Sequence, residues 1–189
     1  MTYGDTSSLT RQGDLKGRTS SNRRSRPTET PAGKTQIRHM SYTQSIYHIV
    51  FRTKYGQDTI VEEHEKELYA YLYGIVKNKK SFLYRIGGMP NHIHMLVDLH
   101  PSIALSDFMK ELKEKSSKWL KLQPNFPDFI GWAEGYAALS KKSSDVETVT
   151  NYIKGQKEHH KQCEFPAEYR KLLEEHGVEI DERYFLKDE

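Results

Sequence analysis

From residue 46 onward the chain switches between two hydrophobic periods, and the switches mark its elements. Ile46–Thr53 is apolar and β-branched and predicts a strand. Over Glu62–Asn78, Leu68, Leu72, Ile75 and Val76 recur at helical spacing. Phe82, Tyr84 and Ile86 alternate, so Phe82–Ile86 reads as a second strand, Gly87-Gly88-Met89-Pro90-Asn91 as a turn, and His92–Leu99 as a third strand. A second helix is expected over Ala104–Leu122, with Leu105, Phe108, Met109, Leu112, Trp119 and Leu120 on one side and Ser102 as its cap. Phe129–Leu139 reads as a fourth strand. A last long helix opens at Ser144, where Ser144 and Glu147 form a capping box, and runs to Gln162. The tail Phe165–Glu189 holds a short helix candidate, Pro166–His176, and an irregular acidic end. The order β-α-β-β-α-β plus a helix is the split-βαβ, ferredoxin-like arrangement of the α+β class. Both early helices are expected on one face of an antiparallel sheet, with the other face open.

Composition sharpens the boundaries. Residues 1–39 are Ser, Thr, Gly, Arg and Pro with few apolar side chains, too few to offset the entropy of ordering. They read as a disordered leader or non-native extension, with Met40 as the functional start. Residues 40–163 read as the catalytic domain and 164–189 as a tail. The twelve Tyr, seven Phe and two Trp are enough for a core, and the chain is 29% charged with a net charge of +3. Lys and Arg concentrate at 110–121, 141–142 and 154–161, which fits either a nucleic-acid face or ordinary solvated helices. The single cysteine, Cys163, excludes an intrachain disulfide and a cysteine-cluster zinc site. No signal peptide or membrane span is visible, so a cytoplasmic location is expected.

Two clusters carry chemistry. His92 and His94 are two apart on a strand and project to one face, together with Leu96 and Asp98. Ile93, Met95, Val97 and Leu99 take the other face, which suits the helices, so the imidazoles should face away from them. Two pinned neutral imidazoles are half of a metal site, although a His pair on a strand can also be plain surface. A zinc set with His100 is an alternative, and Asp98 is a candidate to orient an imidazole. On the last helix Tyr152, Gln156 and His160 are four apart and share a face beside the stripe Val146, Val149 and Ile153. A phenol is a weak nucleophile unless a cation assists at the electrophile. Gln156 offers an amide oxygen one turn away. Two imidazoles and one such oxygen suit Mg²⁺ or Mn²⁺, and also admit zinc. Lys113, Lys118, Lys121, Lys141, Lys142 and Arg52 are candidates for DNA phosphate contacts, and Trp132 and Tyr136 for base stacking or core.

These residues resemble the single-tyrosine HUH transposase family, the IS-two-hundred-like insertion-sequence enzymes together with the repeat-associated tyrosine transposases. The matching residues are Tyr47-His48-Ile49-Val50-Phe51 with Thr53-Lys54, then Met89-Pro90-Asn91-His92-Ile93-His94. Trp132-x-x-Gly135-Tyr136-x-x-x-Ser140 and Tyr152-Ile153-x-x-Gln156-x-x-His159-His160 complete the set. The match in order and spacing extends from Met40 to His160. The resemblance implies that His92, His94 and Gln156 hold the metal. It implies that Tyr152 attacks a single-stranded DNA phosphate, forms a 5′-phosphotyrosine and releases a 3′-OH. It further implies a homodimer acting on strands beside small hairpins, with no nucleotide cofactor, in agreement with the absence of a phosphate-loop motif. A domesticated repeat-associated nickase, a non-catalytic single-strand binder and a zinc hydrolase are the rival readings.

Overall fold

The computed structural model describes residues 42–160 and 163–188; the expectations for residues 1–39 and for Met40 lie outside them. Strands β1 (Ile46–Arg52), β2 (Phe82–Met89), β3 (His92–Asp98) and β4 (Ala137–Lys141) form an antiparallel sheet in the order β2-β3-β1-β4. Helices α1 (Glu65–Asn78) and α2 (Leu105–Leu120) connect β1 to β2 and β3 to β4. This is the ferredoxin-like α+β topology expected from the period switches. The alternation along β3 sorts its side chains as expected. Ile93, Met95 and Val97 join Leu68, Leu72 and Val76 of α1 and Phe108, Met109 and Leu112 of α2 in the main core, while Leu96 points to the opposite side.

That opposite side is not open. It is covered by α3 (Val146–Lys154), α4 (Gln156–His159) and α5 (Phe165–Glu174). Leu96 and Ile46 pack on Val149 and Ile153 of α3, and Val50, Ala137 and Leu139 pack on Phe165, Leu172 and Leu173 of α5. The expectation of a bare face overlooked how apolar β1 and β4 are on this side. Burying each such side chain contributes about 1.5–3 kcal/mol, which holds α3 and α5 against the sheet.

Several boundaries differ from the sequence reading. β2 continues through Gly87 and Gly88 to Met89, and the hairpin turns at Pro90 and Asn91. The register slips between Leu83 and Arg85, a bulge centred on Tyr84. The fourth strand is Ala137–Lys141 rather than Phe129–Leu139. Phe126, Phe129 and Trp132 plug the main core from a loop, and their spacing of three is wrong for a strand face. Trp132 makes only an isolated bridge to Thr53, stacks edge-on against Phe51, and donates its indole N–H to Ser116 Oγ at 2.9 Å. It is a core residue. Ser102 does not cap α2, whose N-cap is Ala104; its hydroxyl pairs with His100 Nδ1 at 2.8 Å. The capping carboxylate of the tyrosine helix is Asp145, which accepts from Lys142 N at 3.1 Å, so α3 starts after a short 3-10 turn and not at a Ser144–Glu147 box. Gly155 interrupts this helix, and its expected end at Gln162 lies outside the described residues.

Two glycines set how closely the layers approach. A Cβ at Gly87 would sit 3.0 Å from Ile153 Cγ2 and from Ile153 O, so Gly87 lets α3 settle on β2. A Cβ at Gly88 would lie 2.2 Å from the carbonyl oxygen of His92, which nothing can accommodate without moving β3. Gly88→Ala is therefore expected to destabilise the fold by about 1–3 kcal/mol. Gly74→Ala, in α1 with nothing within 4 Å, should stabilise by about 0.5–1 kcal/mol. Urea denaturation of the two variants checks this; an equal response at both positions would contradict the close approach of β2 to β3.

Candidate metal centre

His92 and His94 both sit on β3, an inner strand of the sheet, and neither side chain is exposed. Each ring has one nitrogen tied down. His92 Nδ1 lies 2.6 Å from Asn91 Oδ1, an acceptor, so that nitrogen carries the proton and Nε2 keeps its lone pair. His94 Nδ1 lies 3.0 Å from His48 Nε2. With the His94 proton on Nδ1, donated to His48, the His94 Nε2 lone pair is likewise free. Burial pushes His48 down to about 3, with help from Lys141 and His176, and pushes His92 down to about 3, with help from His160. His94 is lowered well below the usual range by burial, then by His92 and His48. All three rings are neutral at neutral pH, the form in which imidazole binds a cation.

Three further groups meet the two Nε2 atoms. Glu168, on α5, has its carboxylate oxygens 3.8 Å from His92 Nε2 and 3.8 Å from His94 Nε2. Its Oε2 is 2.8 Å from His160 Nε2, without hydrogen-bond alignment. Gln156, the first residue of α4, donates its amide N–H to Glu168 Oε1 at 2.9 Å and leaves its own Oε1 without a partner. His92 Nε2, His94 Nε2, Gln156 Oε1, His160 Nε2 and Glu168 Oε2 are thus all buried and all lack a hydrogen bond. Buried polar atoms are normally satisfied, and the unpartnered His92 Nε2, His94 Nε2 and Gln156 Oε1 beside the Glu168 carboxylate are donors that a cation would satisfy. His92, His94 and Glu168 can hold a metal ion, their donor atoms lying within 4.8 Å of one another. Two imidazoles with a carboxylate and an amide oxygen fit a divalent ion.

Tyr152 reaches the same carboxylate from α3. Its hydroxyl donates to Glu168 Oε1, and its ring lies 5.9 Å from those of His48 and His94. Burial first, then the bond to Glu168 and its charge, raises the phenol's pKa. On the outer side Tyr152 lines a cleft of about 560 Å³ together with His48, Lys141, His159, Glu168 and Lys171.

Sequence reasoning missed His48 and Glu168. Alternation along β1 puts His48, Val50 and Arg52 on one side, but only the register, with Val50 opposite His94 and Arg52 opposite His92, shows that this is the histidine side. The tail helix was anticipated, though without any role. Glu168 lies in its buried stripe with Phe165 and Leu172, and a carboxylate at an apolar position is the signal that was available. Two candidates fall away. Asp98 accepts from Ser45 N at 3.0 Å at the far end of β3, and His100 pairs with Ser102, so neither joins the cluster.

The basic candidates divide between the two faces. Lys113, Lys118 and Lys121 belong to α2 and its end, on the face away from the histidines. Lys113 is committed to the carbonyls of Ala133, Glu134 and Gly135 at 2.7–2.9 Å, and burial pushes it down to about 8. It clamps the loop before β4 instead of offering its charge to a ligand. Lys118 pairs with Glu114 at 2.6 Å. Lys141 lies on the histidine side beside His176, Lys142 is exposed next to it, and Arg52 is buried against the tail. Tyr136 is half-buried with Lys113 Nζ 5.3 Å from its ring centre.

The chain is similar in sequence and in fold to known proteins. The chain is 30% identical over 125 residues to the transposase of insertion sequence element IS200 from Salmonella typhimurium, covering 62% of this chain and 80% of that protein. It is 25% identical over 115 residues to the ISDra2 transposase TnpA of Deinococcus radiodurans, covering 58% and 82% respectively. Among solved structures, a REP-associated tyrosine transposase bound to a REP hairpin superposes with a TM-score of 0.50 at 12% identity, over 64% of this chain and 72% of that one, a likeness of fold. The profile of the family described as "Transposase IS200 like" matches residues 41–156, from ahead of β1 through His92, His94 and Tyr152 to Gln156. That span exceeds half of the chain, and the protein belongs to the IS200-like transposase family.

Proposed function

We propose that the chain is a metal-dependent single-stranded DNA endonuclease and strand transferase that works through Tyr152 and a 5′-phosphotyrosine. The observation that carries this reading is the convergence of the Tyr152 hydroxyl, through Glu168, on the two free imidazole lone pairs. His92 and His94 would hold the ion with Gln156 and Glu168, and Mg²⁺ or Mn²⁺ suits the oxygen share of that set. When bound, a divalent ion would polarise the scissile phosphate and neutralise charge developing on it.

The remaining work belongs to the chain. The Tyr152 oxygen forms a bond to phosphorus as the bond to the 3′ oxygen breaks, and that oxygen leaves with the electron pair and takes a proton from water to become a free 3′-OH. The phenol is a poor nucleophile while protonated, and Glu168, already its hydrogen-bond acceptor, stands where the proton must go. The phosphotyrosine keeps the energy of the broken ester, so rejoining to another 3′-OH needs no nucleotide. The cleft beside Tyr152, with Lys141 and Lys171 on its rim, gives a strand of negative charge an approach. The solved relative is bound to a REP hairpin, which supports hairpin-bearing DNA as the substrate class; single strands beside such hairpins, and a homodimer as the working form, complete the proposed reading.

Incubation with labelled single-stranded oligonucleotides and Mn²⁺ or Mg²⁺ should give a protein–DNA adduct that survives denaturation and that Tyr152→Phe abolishes. Binding without an adduct in any metal would instead make the chain a non-catalytic binder, and zinc-dependent cleavage indifferent to Tyr152→Phe would make it a hydrolase. His48 should matter through His94. His48→Ala is expected to weaken Mn²⁺ affinity about 10–100-fold by calorimetry while the fold survives. Unchanged affinity in that variant, beside a loss in His94→Ala, would remove His48 from the orienting role.

A further inference from the structure

Arg52 ends β1 directly opposite His92 on β3, on the metal side of the sheet. Directly opposed side chains in such a pair are about 5 Å apart at Cβ, so Arg52 leaves the sheet next to His92, and its guanidinium extends from there to the turn after β1. It is nine-tenths buried, and what buries it is the chain's own acidic tail. One guanidinium nitrogen lies 3.0 Å from Asp188 Oδ2, and the other donates to the carbonyl of Leu186 at 2.7 Å. Asp188 Oδ2 also accepts the backbone N–H of Tyr55 at 2.5 Å. Tyr55 and Gly56 have φ of 59° and 65°, a left-handed pair that turns the loop after β1 back toward Arg52. The aspartate's side chain is 3% exposed, yet its Oδ1 has no partner.

This is a built anion site. A rigid strand end and a fixed turn supply a guanidinium and an amide N–H, and beside them lies a cavity of about 230 Å³ lined by Phe165, Tyr169, Ile180 and Phe185. The occupant fits poorly, because a carboxylate with one oxygen buried and unmatched loses hydration without full return. A phosphodiester presents a guanidinium with the same motif of two anionic oxygens. The tail places its other buried carboxylate, Glu168, among the metal ligands on the same face of the sheet. Two acidic side chains of one segment therefore meet the same sheet face, Glu168 at the candidate metal ligands and Asp188 on the guanidinium of Arg52.

We infer that Arg52 and the Tyr55 N–H form a phosphodiester-binding site for the DNA strand, and that Asp188 occupies it as an internal competitor until DNA displaces it. The inference rests on the reading of the chain as a single-strand DNA enzyme. A ligand that must first displace the tail binds with its affinity reduced by the fraction of open molecules. Removing the competing charge while keeping the shape should recover that loss.

The test is the affinity of the full chain for a fluorescent mixed-sequence single-stranded oligonucleotide, read by anisotropy without divalent metal so that no strand is cut. Asp188→Asn should tighten binding about tenfold, equivalent to about 1.4 kcal/mol. Asp188→Ala should do the same. In the Asp188→Asn background, Arg52→Gln should erase the gain and lower the slope of log affinity against log salt by about 0.7, the share of one single-strand phosphate. Arg52→Met, uncharged and of similar length, serves as the second variant, with the same expected loss, if Arg52→Gln does not fold. An oligonucleotide with a neutral methylphosphonate backbone should show no gain. If Asp188→Asn lowers the melting temperature and leaves DNA affinity unchanged or weaker, the pair is a structural ion pair and the inference is overturned. If the wild type forms the Tyr152 adduct while the Asp188 variants bind as it does, only this inference falls. If no variant binds DNA and no adduct forms, the proposed function falls with it.

Discussion

Everything at this centre follows from two imidazoles buried in the middle of a sheet with one nitrogen each left unsatisfied. Burial keeps His92 and His94 neutral, Asn91 accepts from His92 Nδ1, and His48 lies against His94 Nδ1, so that each ring turns its Nε2 inward. Among the described residues, the Nε2 atoms of both rings lie 3.8 Å from the Glu168 carboxylate, and Gln156 Oε1 is likewise buried without a partner. A buried polar group without a partner costs about 1–3 kcal/mol, so the cluster spends folding free energy to keep donors ready for a cation. The apolar packing of α3 and α5 on the sheet supplies the offset.

The same packing determines which residues can act. Gly87 lets α3 lie close on β2, and α3 carries Tyr152; Phe165, stacked on the His92 ring at 4.2 Å, anchors the helix that carries Glu168. Tyr152 and the candidate ligands therefore come from four elements, β3, α3, α4 and α5, held by one layer of apolar contacts. Because the segment after residue 162 closes over the ligands, access of a strand to the buried donors and the position of that segment are coupled. Two buried carboxylates of that segment, Glu168 and Asp188, lie on this face, one at the histidines and one on Arg52.

Much of this was legible in the chain. The alternation along His92–Leu99 separated the imidazoles from the core side chains, and the four-residue spacing of Tyr152 and Gln156 survived even though Gly155 breaks the helix between them. The period switches gave the βαββαβ order. Three things were hidden for physical reasons. The loop carrying Phe126, Phe129 and Trp132 imitated a strand because core plugs are apolar wherever the chain brings them in. His48 was ambiguous because strand parity says which residues share a face but not which face it is. Glu168 looked like any solvated glutamate, since its burial arises from contacts with residues far away in sequence. Lys113 shows the opposite case, a basic residue whose charge is already used by three backbone carbonyls of its own chain.

The most direct measurement is a crystal of the full chain grown with Mn²⁺ and examined for anomalous scattering. A peak about 2.1 Å from both His92 Nε2 and His94 Nε2, with an oxygen of Glu168 or Gln156 beside it, is the expected result. An ion bound elsewhere, or a cluster that stays empty at saturating Mn²⁺ in a chain that still forms the tyrosine adduct, would contradict it.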